Sequence, residues 1–448
     1  MKKKKQIADL VTIGFALFAM FFGAGNLIFP PHLGVSTGSS WLLGFLFFFI
    51  ADFGLGILGV LGMSRLDGRV DRIAEPLGRI PAVLLATAII VCIGPGLAIP
   101  RTAATTYELA LVPLLRIEGS PLILALFSVL FFGIVLFLSR MPGKVVDIIG
   151  KILTPVLLVA LAVMIVEGFV YPGADIGAPV TENVVREGLT NGYQTLDMLA
   201  AVLFTVLLIT SIRGKGYEDR RIAGVSLRSS LVAALLLFLV YGGLTFLGAT
   251  TGTLWTEQVM SGQMNQAQLT VAITGKILGP AGTAVLAVVV FFACLTTAIG
   301  LVSATAEYFE RLTSGKLSYK KSVVIICILS AFVCNLGLSD IISITAPILM
   351  LLYPVTIVML VLVLVRDKVK SVVPYRTAAA VTLGVSILDL VGNTLGVAGF
   401  AAVYQALPLS DLGFAWLIPA IVAFLIGLLF KGRKAEKDMC REMRMQHI

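Results

Sequence analysis

Twelve separate apolar runs, each long enough to cross a bilayer, restrict this chain to a membrane fold. About twenty residues are needed to span roughly 30 Å of hydrocarbon as helix. Runs of that length fall near 7–29, 41–63, 80–99, 120–138, 148–170, 193–212, 224–249, 281–304, 322–338, 341–364, 376–397 and 412–430. Lipid offers no partner for backbone N–H and C=O groups, so such spans are helices that satisfy their own hydrogen bonds. Charged residues make up 13% of the chain and apolar ones 58%, whereas soluble domains carry about 25% charged residues. Between the runs there is no room for a soluble domain of any size.

The distribution of Lys and Arg gives the direction. With the N-terminus in the cytoplasm, the connections on that side hold 30 of the 34 basic residues, leaving Arg101, Arg116, Arg186 and Lys276 outside. That is the positive-inside bias; it puts both termini in the cytoplasm and accounts for the net charge of +9 with no nucleic-acid partner. The first run, preceded by four lysines and holding Gly23 and Gly25, also has features of a signal peptide. Its length, running on to Phe29, argues for a retained helix. The five cysteines, Cys92, Cys294, Cys327, Cys334 and Cys440, have no metal-ligand spacing and read as small apolar residues.

Two outer connections are longer than the rest, 171–192 and 250–280, and the second has enough apolar positions for a short surface helix. An enzyme reading finds little support. The two histidines, His32 and His447, are far apart in sequence, and no H-E-x-x-H, nucleophile elbow or phosphate-cradling glycine loop occurs. An intramembrane aspartyl protease would need two carboxylates that meet, for which Asp52, Asp197 and Asp389 are the candidates. A receptor or channel is the remaining alternative to a transporter.

The first run carries "FFGAGNLIFPP" from Phe21 to Pro31. Helix interiors disfavour Gly by roughly 1 kcal/mol and Pro by roughly 3, so an interruption at Gly23-Ala24-Gly25 is expected. It would open backbone groups near mid-membrane, tolerable only where they line a polar cavity or are buried in protein. The second half-helix would then aim N–H donors and a positive dipole end at an anion such as an amino-acid carboxylate. The carbonyls of Ala19 and Phe22, ending the first half, suit a bare cation. Close helix packing at Gly23 and Gly25 is the plainer alternative.

Span eight, "FFACLTTAIGLVSATAEYF", places Thr296 and Thr297 one turn after Ala293. Either these hydroxyls bond back to their own helix, or they join the Ala293 carbonyl in offering three oxygens to a hard cation. Asp197 lies near the outer end of span six, where a charge is costly; it reads as a ligand for a substrate ammonium or coupling proton, or as a helix-start carboxylate. In "IGPGLAIPRTA", Pro95 and Pro100 should kink or end span three, leaving Arg101 at the outer interface or a vestibule.

Taken together, "FALFAMFFGAGNLIFPPHLG", "IGPGLAIPRTAATTYE", "CLTTAIGLVSATAEYF" and "ITAPILMLLYPVTIVML" resemble the bacterial branched-chain amino acid:cation symporters, the branched-chain carrier II family within the amino-acid–polyamine–cation group. The resemblance implies an all-α membrane protein of about twelve transmembrane helices, with a leucine-transporter-like 5+5 inverted repeat plus two extra helices. It divides the chain into an N-terminus (1–6), a first repeat (7–170), an outer loop (171–192), a second repeat (193–364), helices eleven and twelve (365–430) and a basic tail (431–448). It implies a secondary symporter of the cell membrane that imports leucine, isoleucine and valine with Na+, or H+ in some members, with no organic cofactor and no obligatory protein partner. Ala24, Gly25 and Asn26, next to Gly23, would face the substrate carboxylate through backbone or amide N–H groups, while the alternatives for Asp197 stay open. Ala19, Phe22, Ala293, Thr296 and Thr297 would hold Na+. Helix six would open near Ala200 and Ala201 with Phe204 against the substrate, although span six has no glycine between Gly192 and Gly214 to mark its break.

Overall fold

A computed structural model describes residues 2–140, 147, 149–369 and 371–430; the expected basic tail, 431–448, lies outside the described residues. Helices run as α1 (Lys2–Phe21), α2 (Ala24–Thr37), α3 (Trp41–Phe49), α4 (Leu55–Arg65), α5 (Arg79–Val91), α6 (Ala98–Thr106), α7 (Val112–Leu115), α8 (Pro121–Leu138), α9 (Thr154–Val170), α10 (Val184–Gln194), α11 (Asp197–Gly214), α12 (Asp219–Ala249), α13 (Thr256–Met260), α14 (Gln266–Leu278), α15 (Gly282–Leu312), α16 (Tyr319–Cys334), α17 (Leu338–Leu364), α18 (Val373–Asp389), α19 (Ala398–Gln405) and α20 (Leu417–Leu429). No β-strand occurs among the described residues. All twelve apolar runs fall on helix. Nine helical stretches among the described residues, some of them crossing a break, are long and apolar enough to span a membrane, and α1, α16 and α20 supply the three remaining runs with shorter helices.

The residues group into two compact units, Met1–Val60 with Ile90–Ser343, and Leu61–Ile89 with Ile344–Ile448. In the second, Arg366 pairs with Glu75 at 2.9 Å, and Gly427 of α20 lies against Pro374 and Thr377 of α18, where a Cβ would meet the Thr377 hydroxyl at 2.6 Å. The first unit holds every candidate site residue. Within it, α2 packs on α12 through glycines: a Cβ at Gly34 would run into the backbone of α12, and one at Gly248 into Pro31 of α2. With no hydrophobic drive between helices in lipid, such close backbone approach supplies the packing energy.

Three sequence expectations need correcting. The first span does not stop near residue 29: Pro30 and Pro31 lie inside α2, which continues to Thr37. Span three does not stop near residue 99. It breaks at Gly94 (φ −83°, ψ −131°) beside Pro95, and α6 then carries Pro100 in its first turn, where a missing N–H costs nothing. Residues 184–192, expected as loop, are helix: the Asn183 side chain caps α10 by accepting from the Arg186 N–H at 3.0 Å. Gly188 and Gly192 let this polar helix press against the backbone of α3 and the turn after it. The 250–280 connection does contain the expected helix, α14, closed by a reciprocal cap between Asn265 and Gln268. Cys92, Cys294, Cys327 and Cys334 are buried free thiols; Cys440 lies outside the described residues.

Candidate functional site: two interrupted helices and their polar partners

The first interruption falls at Phe22 and Gly23. Gly23 is extended (φ −114°, ψ −158°), and no side chain caps the α2 N-terminus. The first-turn N–H groups of Ala24, Gly25 and Asn26 have no intrahelical acceptor, which makes this helix start an anion-binding end. Both glycines also meet the demand for close approach. A Cβ on Gly23 would lie 2.8 Å from the Thr297 hydroxyl, and one on Gly25 would lie 2.8 Å from Arg101 Nη2 and 3.2 Å from the Thr195 Cα. Interruption and tight packing are therefore two uses of the same residues.

The second interruption lies between α10 and α11. Leu196 sits in the left-handed region (φ 77°, ψ 7°), Asp197 opens α11, and helix then runs unbroken to Gly214. Ala200 and Ala201 are therefore inside a continuous helix, correcting the expectation that the backbone opens there. Ala201 packs against Gly59, where a Cβ would come within 2.9 Å of its methyl. Phe204 is wholly buried, edge-to-face with Phe21 at 5.2 Å, and its ring lies beside Gly300. It braces α1, α11 and α15.

Arg101 is not at an interface. It is 3% exposed, and its Nη1 and Nη2 donate to the Gln194 and Thr195 carbonyls, each at 2.9 Å. The guanidinium fork thus ends α10, where carbonyls lose their helical donors and a cation is favoured by the dipole. Around it lies a polar cluster. Asn26 donates to Asp197 Oδ2 at 3.0 Å and to the Tyr241 hydroxyl, so both amide N–H bonds go to protein partners and the donor left for a substrate is its backbone N–H. Thr195 Oγ1 lies 2.6 Å from Asp52 Oδ1 and 2.6 Å from the Gly192 carbonyl, so its single proton serves one of the two at a time. Asp52 and Asp197, both buried, lie side by side. Asp389, in the other unit, accepts from Asn393 at 2.6 Å. Thr195 and Tyr241 escaped the sequence reading; their only signals were nearness to Asp197 and a tyrosine within a long apolar span.

A second oxygen cluster joins the end of α1 to α15. Thr296 Oγ1 lies 2.7 Å from the Ala19 carbonyl and 2.9 Å from that of Ala293. Thr297 Oγ1 lies 2.8 Å from the Met20 carbonyl and 3.4 Å from that of Ala19. Two adjacent hydroxyls and carbonyls from two helices are a hard-oxygen donor set that suits an alkali cation. Met20 was not anticipated. At Phe22, the N–H closes onto the Phe18 carbonyl at 2.7 Å. Farther along, the lysine-bearing ends of the helices are tied together. Lys215 pairs with Asp147 at 3.1 Å and Asp9 at 3.6 Å, Lys151 pairs with Asp147 at 3.2 Å, and the Tyr217 hydroxyl donates to Asp9 at 3.2 Å.

The whole chain matches known proteins. Residues 6–434 match the family described as branched-chain amino acid transport protein. The chain is 36% identical over 427 residues to the branched-chain amino acid transport system 2 carrier protein of Pseudomonas aeruginosa, covering 94% of this chain and 95% of that one. It is 34% identical over 440 residues to the branched-chain amino acid permease BraB of Bacillus subtilis, covering 95% and 96%. Among solved structures it is similar to a Na+-coupled sialic acid symporter in a substrate-bound outward-open state (TM-score 0.61, 13% identity, 95% of this chain and 90% of that one). It is also similar to Mhp1, a nucleobase-cation-symport-1 family transporter, in a closed conformation with bromovinylhydantoin bound (TM-score 0.56, 13% identity, 97% and 93%). At such identity these structures show the fold alone, which is the leucine-transporter-like one. Asp52 and Asp197 do meet, as a protease would require, but the relatives along the full length are permeases. The chain belongs to the branched-chain amino acid transport protein family and is a transporter rather than an enzyme.

Proposed function

We propose that the chain imports leucine, isoleucine and valine together with Na+ by alternating access. The observation that carries this reading is the convergence of the Thr296 and Thr297 hydroxyls on the Ala19, Met20 and Ala293 carbonyls. A cation held there ties α1 to α15, so it favours whichever state keeps them together; tenfold coupling needs only about 1.4 kcal/mol. The substrate carboxylate then sits at the uncapped start of α2, one residue beyond the interruption. An apolar pocket separates side chains differing by a methylene by only about 1–3 kcal/mol, which favours one site serving all three substrates. Both termini face the cytoplasm of a bacterial cell, from the 30-to-4 distribution of basic residues. The Asp9–Lys215–Asp147 ties would then close the cytoplasmic side.

The test is uptake of radiolabelled leucine into proteoliposomes with an inward Na+ gradient, with a pH gradient, and with neither. Accumulation that needs the Na+ gradient supports the reading. Accumulation driven by the pH gradient alone replaces Na+ with H+. No accumulation of any branched-chain amino acid under either gradient refutes it.

A further inference from the structure

Asp52 and Asp197 are two acids in the middle of the polar cluster, 0% and 3% exposed. They come from different elements: Asp52 from the π-turn Ile50–Gly54 between α3 and α4, Asp197 from the first residue of α11. Donors reach one oxygen of each, Thr195 on Asp52 Oδ1 and Asn26 on Asp197 Oδ2. Asp52 Oδ2 is fully enclosed and makes no hydrogen bond of good geometry; the Asp197 carboxyl and the Tyr241 hydroxyl, whose own proton can turn toward Asp52, lie beside it. An ionised carboxylate left in this position forfeits its solvation without replacement.

The charge count points the same way. From α6 the pair faces Arg101, whose two Nη groups already serve backbone carbonyls. From α12 it faces Tyr241, from α2 Asn26, and from the α10 end Thr195. Next to Tyr241, the interruption after α1 brings Phe22 and α3 brings Phe48, rings that bear no charge. Two ionised acids against one guanidinium leave a net negative charge in a dry site. One added proton makes the group neutral and replaces the like-charge contact between the two carboxyls with a hydrogen bond.

We infer that Asp52 and Asp197 share one bound proton, and that the singly protonated pair is the form of the transporter that accepts substrate. A zwitterion can place its carboxylate at the α2 start without repulsion only when the adjoining cluster is neutral. A doubly ionised pair would repel that carboxylate, and would also push the α3–α4 turn from the α10–α11 interruption through like charge. The first half of this inference is independent of the transport reading; the second rests on it.

The test combines infrared spectroscopy with leucine binding, on the purified full-length protein. At neutral pH the wild type should show a protonated carboxylic-acid C=O band that shifts in heavy water and disappears in both Asp52→Asn and Asp197→Asn. Above the titration of the pair, wild-type affinity for leucine should fall by about tenfold per pH unit, the limit for one linked proton, and binding should take up a proton. Asp52→Asn, which offers Asp197 a permanent N–H donor, should bind leucine with no such slope. Absence of the band, its survival in both variants, its loss on adding Na+, or proton release on leucine binding would each overturn the inference. If neither variant folds, the wild-type pH slope decides: a flat profile overturns it. Loss of uptake with the band intact would count against the transport reading and leave the shared proton standing.

Discussion

Replacing Thr296 by Ala tests the cation site most directly, because its hydroxyl lies within 3 Å of carbonyls from both helices, 2.7 Å from Ala19 and 2.9 Å from Ala293. An oxygen contact to a charged partner contributes about 1.5–3 kcal/mol, so losing one ligand should weaken Na+ binding by roughly 10- to 150-fold. The change should be visible without transport. At Na+ one hundred times its dissociation constant, the wild type gains about 2.7 kcal/mol of stability. A variant weakened one hundredfold gains only about 0.4 kcal/mol at the same concentration. Thermal unfolding in matched Na+ and choline buffers should therefore show a large Na+-dependent shift for wild type and a small one for Thr296→Ala. Some loss of stability in choline is expected too, since the buried Ala19 carbonyl would keep only its 3.4 Å contact with Thr297. Thr296→Ser, which keeps the hydroxyl, should recover most of the shift. A folded Thr296→Ala protein with wild-type Na+ stabilisation and wild-type Na+ activation of uptake would refute the assignment.

Other consequences are equally accessible. Gly23→Ala should destabilise by about 1–3 kcal/mol through overpacking, because the new methyl meets the Thr297 side chain; adding Thr297→Ala should relieve part of that cost, and additive effects in unfolding experiments would contradict the contact. Arg101→Lys should lower thermal stability and uptake, since one ammonium cannot reproduce the fork that ends α10; a neutral outcome would deny the guanidinium that role. Lys215→Ala should free the α1 start from the α11 end, raising labelling of an engineered cytoplasmic-side cysteine beneath the site by a few-fold. Burial pushes the Asp147 carboxyl up, but the Lys215 and Lys151 ammoniums outweigh it and hold it below its ordinary value. That tie should therefore persist above the usual carboxylate range and be lost as pH falls through the lowered value, with wild-type labelling rising toward that of Lys215→Ala in acid.

How much of this was legible in the sequence depends on which physical signal each feature leaves. Spans announce themselves because lipid penalises every polar group, so the twelve runs and a helical membrane fold follow from hydropathy alone; the leucine-transporter-like arrangement follows only from the family resemblance. The first interruption is legible because it uses glycine, which helices disfavour and close approach demands; Gly23 and Gly25 satisfy both. The second is not, because Leu196 adopts a left-handed conformation with no glycine to mark it. Such a residue is costly by itself and persists only when its surroundings over-determine it. Here those surroundings are Arg101 on the Gln194 and Thr195 carbonyls and the Thr195 hydroxyl on Asp52, ninety or more residues away in sequence. The same non-local cause explains the misplacement of Arg101 itself. Counting basic residues puts it outside, and hydropathy ends span three before it, yet α6 carries it into the core because a helix end there needs a cation.

The two clusters differ in the same respect. Thr296 and Thr297 stand together on one helix, one turn beyond Ala293, so their spacing alone suggested three converging oxygens; only the choice of Met20 across the gap needed the fold. The Asp52–Asp197 cluster draws Asn26, Asp52, Arg101, Thr195, Asp197 and Tyr241 from six helical segments or their ends. Read one at a time, each has an ordinary explanation: an interfacial acid, a helix start, an interface anchor. Their cost in lipid is what links them. A buried acid is tolerated only with donors and counter-charge, which Asn26, Thr195 and Arg101 supply here. A substitution at any of them should therefore disturb the rest, and the double variant Asp52→Asn with Asp197→Asn should be more stable than Arg101→Ala. The double variant leaves a guanidinium without counter-charge, but one that still donates to the Gln194 and Thr195 carbonyls, whereas the Arg101 variant leaves the acids without counter-charge and those carbonyls without their donor.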